Sequence, residues 1–480
     1  MKQKKWFFVA GILLIASLMI AGVQLFRSTI ATRTLAVQPE SERSKEVITF
    51  SFTSFGSDAE MKKLIDRYNQ SNPDQSFVQM LTIPRENYTR TLNMLMTSGE
   101  GPDLFAVQSD WITTYMYKNW FKDLTDYISK AVEVDYSNWA LDYGSFNGRK
   151  YAIPYGLSTV RLGYNKELFR LAGLDENRPP KTLADLKSMA TIISQKQVGN
   201  QKYGFVWPLA EDWYGFMQSM EIPLTYSGVS VFNFKAGRFD ASGYEPWMET
   251  MLEMNKNGSM FPGNLTMKYD TALTQFAKGN VGMMLLSSSD VYRLENELNL
   301  NVDWGVTMPP AMDEQKASSG ALMLVPEPVI GINSATKHST AAIHFWQYLH
   351  SERVIKELYQ KGALIPVSSR IRQDYPSELV LTKSKFRNFQ PTDAESFYPK
   401  KPILLDSTIT PTVFNQDHFG WNNRLKAYRE IASGTASVHD TLQSETQRLN
   451  LMLQGAIQMG SISIQGYMQE SFDMKHPLQE

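Results

Sequence analysis

Four carboxylates and a set of aromatic rings are the side chains of this chain whose types and spacing could do chemistry. Asp110, Glu211, Asp212 and Glu245 could supply the two carboxyl groups, about 5–10 Å apart, that cleavage of a glycosidic bond needs. Their spacing along the chain does not show that any two converge. Cysteine is absent, which excludes disulfides, thiolate metal sites and a cysteine nucleophile. Neither a G-x-S-x-G turn nor a phosphate loop appears. The six histidines lack zinc-ligand spacing and read as surface or packing residues. Neither metal nor cofactor is expected.

What remains is binding chemistry. Trp111 beside Asp110, Tyr155, Trp207, and Trp213 just after Glu211 and Asp212 lie where strands are read to end. Such rings can cover a flat apolar face while neighbouring carboxylates and hydroxyls bond its polar edge. Each ring also fits a core, because Trp and Tyr are heavily buried on average. Asp110 reads either as a hydroxyl-binding carboxylate or as the N-cap of a helix starting near Trp111. Ser57, three residues before Glu60, reads first as half of a capping box. Ser287 and Ser289 read as ligand hydroxyl partners or as a turn after a strand.

The elements that must position these residues follow from periodicity. Residues 47–52 alternate as a strand, and Met61, Leu64, Ile65 and Tyr68 form a helical stripe. A second strand over 77–83, a helix over Tyr88, Leu92, Leu95 and Met96, and a strand over 104–107 follow. Strand, helix, strand, helix, strand predicts a parallel sheet covered by helices. Ligands of such sheets sit beyond the carboxyl ends of the strands, which points to Phe55 and Ser57 after the first strand and to Asp110 and Trp111 after the third. Residues 151–169 read as one extended crossing between two globular parts, ending in a helix capped by Asn165. Further on come a capped helix over 182–193, a strand ending near Trp207, a buried strand over 279–286, a strand over 329–333 and a long helix over 340–359.

With 480 residues the chain exceeds one compact core and predicts two or three lobes. Lys and Arg number 48 against 49 Asp and Glu, so no sequence-independent grip on nucleic acid is implied. Lys2, Lys4 and Lys5 precede an uncharged apolar run over 6–26, long enough to cross a bilayer as a helix. Basic flanks stay in the cytoplasm, which puts the rest of the chain outside. The run reads as a membrane anchor or a signal peptide over 1–27, followed by a linker over 28–45.

The order of several motifs resembles the extracellular solute-binding proteins, family 1, the sugar-binding component of ABC importers. They are Pro102-Asp103-Leu104, LTDYI at 124–128, NGRKYAIPYG with GYNKELF and LAGL, PPKTLADL, FAKGNVGMM, WGVTMPP, GALIPVSSR and IASGTAS. The resemblance implies an α/β, two-lobed, periplasmic-binding-protein-like fold of the class II type with a ligand cleft between the lobes. Lobe one would be 46–156 plus 328–366 and lobe two 157–327 plus 367–480, with GALIPVSSR as another hinge. It further implies a carbohydrate ligand, ABC permease subunits as partners, a monomer outside the cytoplasm, and Trp421 as a stacking aromatic. Lys and Arg are expected to carry no essential role toward a neutral sugar. Two other readings stay open: a membrane-tethered sensor or scaffold without transport, and a glycan-active enzyme.

Overall fold

The computed structural model describes residues 46–52, 58–71, 76–107, 111–196, 202–211, 213–375, 385–402, 421–458, 460 and 462–478. Its first sheet runs in the order Phe77–Leu81, Val47–Ser51, Leu104–Val107, Val329–Ile332, Arg149–Pro154, Gly144–Phe146. The three N-terminal strands are parallel, as read. Val329–Ile332, which returns from the other part of the chain, lies antiparallel between Leu104–Val107 and Arg149–Pro154, and Gly144–Phe146 pairs antiparallel with Arg149–Pro154. Helix Asp58–Ser71 buries Met61, Leu64, Ile65 and Tyr68 against it, the expected stripe.

A second sheet has the order Trp304–Thr307, Val160–Asn165, Val281–Ser287, Tyr203–Phe205. Val281–Ser287 is buried at every position, as its unbroken apolar run requires for a strand covered on both faces. Asn165 caps helix Lys166–Ala172 by accepting from the Leu168 N–H at 3.0 Å. Thr182 and Asp185 form a full capping box on helix Leu183–Gln195. Both starts were legible from the residue types alone.

Between the sheets lies a third, built from the short antiparallel strands Val325–Pro326, Gly156–Ser158 and Ile365–Pro366. Three passages of the chain between the lobes lie side by side here. The stretch over 151–169 is therefore not one crossing strand: it is shared by the first sheet, this small sheet and the second sheet before its helix begins.

Two boundaries differ from expectation. The long helix over 340–359 is two helices, Ser339–Leu349 and Glu352–Gln360. Ser351 adopts an extended backbone, and the His350 ring nitrogens lie 2.8 and 3.1 Å from the Trp346 and Ile153 carbonyl oxygens. The segment just after 366 remains with the first lobe. Helix Ser369–Asp374 places Arg370 on Asp135 at 2.6 Å and on Glu352 at 2.8 Å. Contacts with second-lobe residues resume by Phe389, whose carbonyl accepts from the Thr159 hydroxyl at 2.6 Å.

The apolar run over 6–26 lies outside the described residues. Among those described, no helix is long and apolar enough to cross a membrane.

Candidate functional site

The small three-stranded sheet floors a narrow cleft with about 530 Å³ of empty space, its open mouth and the solvent in it included. Phe52 and Met61 reach it from the first lobe, Ser288, Ser289 and Phe386 from the second, and Leu157, Ser158, Glu327, Leu364 and Ile365 from the crossings. One face is thus contributed by each lobe and the floor by the crossings.

Glu327 is the carboxyl group in this mostly apolar floor. Its N–H donates to the Gly156 carbonyl at 2.9 Å, which fixes it to the neighbouring crossing. Burial pushes its pKa up to about 8; the Ser158 hydroxyl and Arg85 oppose that rise and Asp290 adds to it. At neutral pH the group is therefore mainly an un-ionised acid, able to donate as well as accept. Ser158 Oγ lies 3.1 Å from Ser288 Oγ, so the floor bonds directly to the first turn of helix Ser288–Asn296.

A second polar group spans the lobes. Arg85 follows the first-sheet strand Phe77–Leu81 and donates to the Tyr214 hydroxyl at 3.2 Å. Tyr214 sits on the π-helical segment Trp213–Glu221 and stacks on Tyr269 with ring centroids 4.0 Å apart. The Tyr269 hydroxyl donates to Asp290 and accepts from Gln218 Nε2 at 2.6 Å. Glu211 accepts from the Tyr269 N–H at 2.6 Å. Burial works against the Arg85 charge, but Tyr214, Asp270 and Asp290 outweigh it and hold the guanidinium above its ordinary pKa. Burial raises Glu211 and Glu297 and pushes Tyr214 up to about 12. Nearby, Tyr292 of the second lobe donates to Glu60 of the first at 3.1 Å. Glu60, read as half of a capping box, also accepts from Lys361 at 2.6 Å. Beside the hinge, Trp139 and Phe397 stack at 3.9 Å.

The expected site residues separate clearly. Trp213 is partly buried and packs against both apolar clusters, but it is not among the residues that line the cleft. Trp111 is partly buried against the first-lobe core, edge-on to Tyr115. Trp207 is not a platform: it is 1% exposed, and its indole N–H donates to the Gly215 carbonyl at 2.6 Å inside the second-lobe core. Tyr155 lines the cleft but is fully buried, and its hydroxyl has no hydrogen-bond partner among the described residues. Ser287 is spent on a capping box with Asp290, the turn reading, whereas Ser289 lines the cleft. Phe55, Ser57, Asp110 and Asp212 lie outside the described residues. So does the Trp421 side chain, although its backbone opens helix Trp421–Ala432.

Of the remaining carboxylates, Glu211 bonds the Tyr269 N–H and Glu245 faces His439 at 3.3 Å on the second-lobe helices. Among the described residues no cluster of His, Asp and Glu could hold a metal. Sequence reasoning missed Arg85, Tyr214, Tyr269 and Glu327. Arg85 was open to the strand-end rule already applied to the first and third strands. Glu327 stands between two prolines in an otherwise apolar stretch, a signal in plain view.

Residues 63–380 match the family model of the bacterial extracellular solute-binding proteins. A maltotriose-binding protein of Pyrococcus abyssi is 23% identical over 330 residues, 65% of this chain and 64% of its own length. The chain thus matches less than two thirds of that relative. The sn-glycerol-3-phosphate-binding periplasmic protein UgpB of Escherichia coli K12 is 25% identical over 329 residues, 64% of this chain and 71% of that protein. Among solved structures, maltose-bound MalE3 of T. maritima superposes with a TM-score of 0.68 at 18% identity, covering 85% of this chain and 99% of its own. A solute-binding protein of Thermotoga lettingae bound to α-D-tagatose gives 0.68 at 15% identity, covering 85% and 100%. These likenesses establish the two-lobed fold.

Proposed function

This chain belongs to the family of bacterial extracellular solute-binding proteins, and from that premise we propose that it captures a neutral carbohydrate in the interlobe cleft and delivers it to an ABC importer by lobe closure. The observation that carries this reading is a cleft walled from both lobes and floored by three paired crossings. A ligand touching both walls gains contacts available only in the closed state and shifts the equilibrium toward it.

Named relatives divide between a neutral saccharide and an anionic glycerol phosphate. The charges here favour the neutral class. Arg85 is coupled to Asp270 and Asp290, and Glu211, Glu297 and Glu327 are coupled to it in turn. A buried phosphate beside so many carboxyl groups would meet repulsion and lose its hydration. Turnover of the sugar is not part of this function, and the carboxylates serve recognition.

A thermal-shift panel of sugars against residues 46–480 tests the reading, because a ligand at 100 times its Kd stabilises by about 2.7 kcal/mol. The cognate sugar is expected to lower the radius of gyration in solution scattering. Replacing Trp213 with Ala should weaken its binding by about 1–3 kcal/mol, the scale of aromatic stacking on flat ligands. A panel without hits and scattering that never changes would leave a tethered scaffold as the better account. Residues 6–26 are proposed as the membrane anchor. Membrane fractionation that depends on this segment is expected, and a mature N-terminus near Thr32 or Val37 would overturn the anchor.

A further inference from the structure

The floor of the cleft is mostly apolar, and its serine hydroxyls are bonded among themselves, while the Tyr155 hydroxyl is left without a partner among the described residues. Ser158 and Ser288 bond each other at 3.1 Å, Ser288 also accepts from the Thr159 N–H at 3.4 Å, and Ser289 is bonded to Ser287 at 2.8 Å. Around them stand Phe52, Met61, Leu157, Leu364, Ile365 and Phe386. A hexose carries a hydroxyl on nearly every carbon, and each one pushed unpaired into such a surface lowers affinity by about tenfold or more. A unit whose inserted end is carbon and hydrogen suffers no such loss. Among the described residues that line this floor, Glu327 is the one carboxyl group, beside the serines.

Resting on the carbohydrate reading above, we propose that the cleft floor is a subsite for the methyl end of a 6-deoxyhexose unit, with the Glu327 carboxyl bonding a neighbouring ring hydroxyl. The C6 methyl would lie against Leu157, Leu364 and Phe386. Burial favours the un-ionised carboxyl of Glu327, which suits it to an apolar surface and lets it donate to one sugar oxygen while accepting from another. Its backbone bond to Gly156 ties that recognition to the hinge, so the hydroxyl is read where the lobes pivot.

Calorimetric titration of the protein with matched pairs tests this directly: L-rhamnose against L-mannose, and L-fucose against L-galactose. At least one deoxy sugar is expected to bind about tenfold or more tightly than its hydroxylated partner. Glu327→Leu should weaken that sugar about tenfold, while the isosteric E327Q, which keeps a donor and an acceptor, should retain most of the affinity. Melting temperature of each variant separates lost binding from lost fold. Hexoses binding as tightly as both deoxy partners, or a folded Glu327→Leu that binds normally, would overturn the inference and leave the transport reading standing. No binding of any saccharide by the wild-type protein would overturn both.

Discussion

Arg161 and Arg85 are both held by tertiary partners, the first wholly buried and the second partly so, and their partners differ. Arg161, on the buried strand Val160–Asn165, uses all five of its N–H groups. Two form a fork on Glu395 at 2.8 and 2.7 Å, and three reach the carbonyls of Val160, Gln390 and Asn388 at 3.0, 3.3 and 3.3 Å. Both side chains of the ion pair are almost wholly buried, at 3% and 0% exposed. Arg85 instead reaches from one lobe to a tyrosine hydroxyl of the other, with Asp270 and Asp290 near enough to hold its charge. A pair inside one lobe can be saturated because its partners never move apart. Across the cleft, the Tyr214 hydroxyl receives one bond from Arg85, and Asp270 and Asp290 act on the guanidinium through charge. The expectation that Lys and Arg carry no essential role toward a neutral sugar concerns the ligand and does not bear on these two jobs.

The largest break in this comparison is expected at Arg161. Arg161→Met leaves Glu395 charged and buried and should cost about 3–5 kcal/mol in chemical denaturation, while the double variant R161M with Glu395→Leu should recover most of it. Equal losses in the single and double variants would show that the fork holds the 385–396 segment by more than charge.

Next in size is Tyr214→Phe, which removes only the hydroxyl. The bond it carries to a charged group is expected to be worth about 1.5–3 kcal/mol. Because it joins lobes, the loss should appear as a larger radius of gyration of the empty protein with little change in unfolding midpoint. A midpoint that falls as far as in Arg161→Met would erase the distinction between the two sites.

The smallest effect is that of pH, and it acts from two directions. Glu327 titrates at about 8 in the fold, above its ordinary 4.5. Its contribution is fully present below that ordinary value and is lost as pH rises through 8. His350 behaves oppositely: burial lowers it from 6.5 to about 4, so its contribution holds above 6.5 and is lost as pH falls through 4. Melting temperature followed from about pH 4 to 9 should lose its alkaline limb in Glu327→Gln and keep its acid one. An unchanged alkaline limb would mean that Glu327 is already ionised in the cleft.

Trp207 and Trp213 show where reading from the chain stops. They stand six positions apart with the same claim to be platforms. One is sealed by the Gly215 carbonyl as the π-helical segment folds back over it, and the other is left partly buried against both apolar clusters. Nothing within a few residues of either distinguishes them. The cap at Asn165, the box at Thr182, the stripe on Asp58–Ser71 and the buried run Val281–Ser287 were legible because each depends on neighbours a few positions away. The motif order carried the two-lobed fold for a similar reason, since spacing survives when individual residues do not.

What only the tertiary structure decided is the cleft itself. Its floor exists because Gly156–Ser158 pairs with Val325–Pro326 and with Ile365–Pro366, segments of two or three residues too short to carry a periodic signal. Glu327 acquires its shifted acidity, and Arg85 its partner, only once those crossings are aligned. By itself the sequence determined which local elements form, through caps and apolar spacing. Which of its polar groups face a ligand was left to pairings between residues more than a hundred positions apart, whose closure local chemistry does not encode.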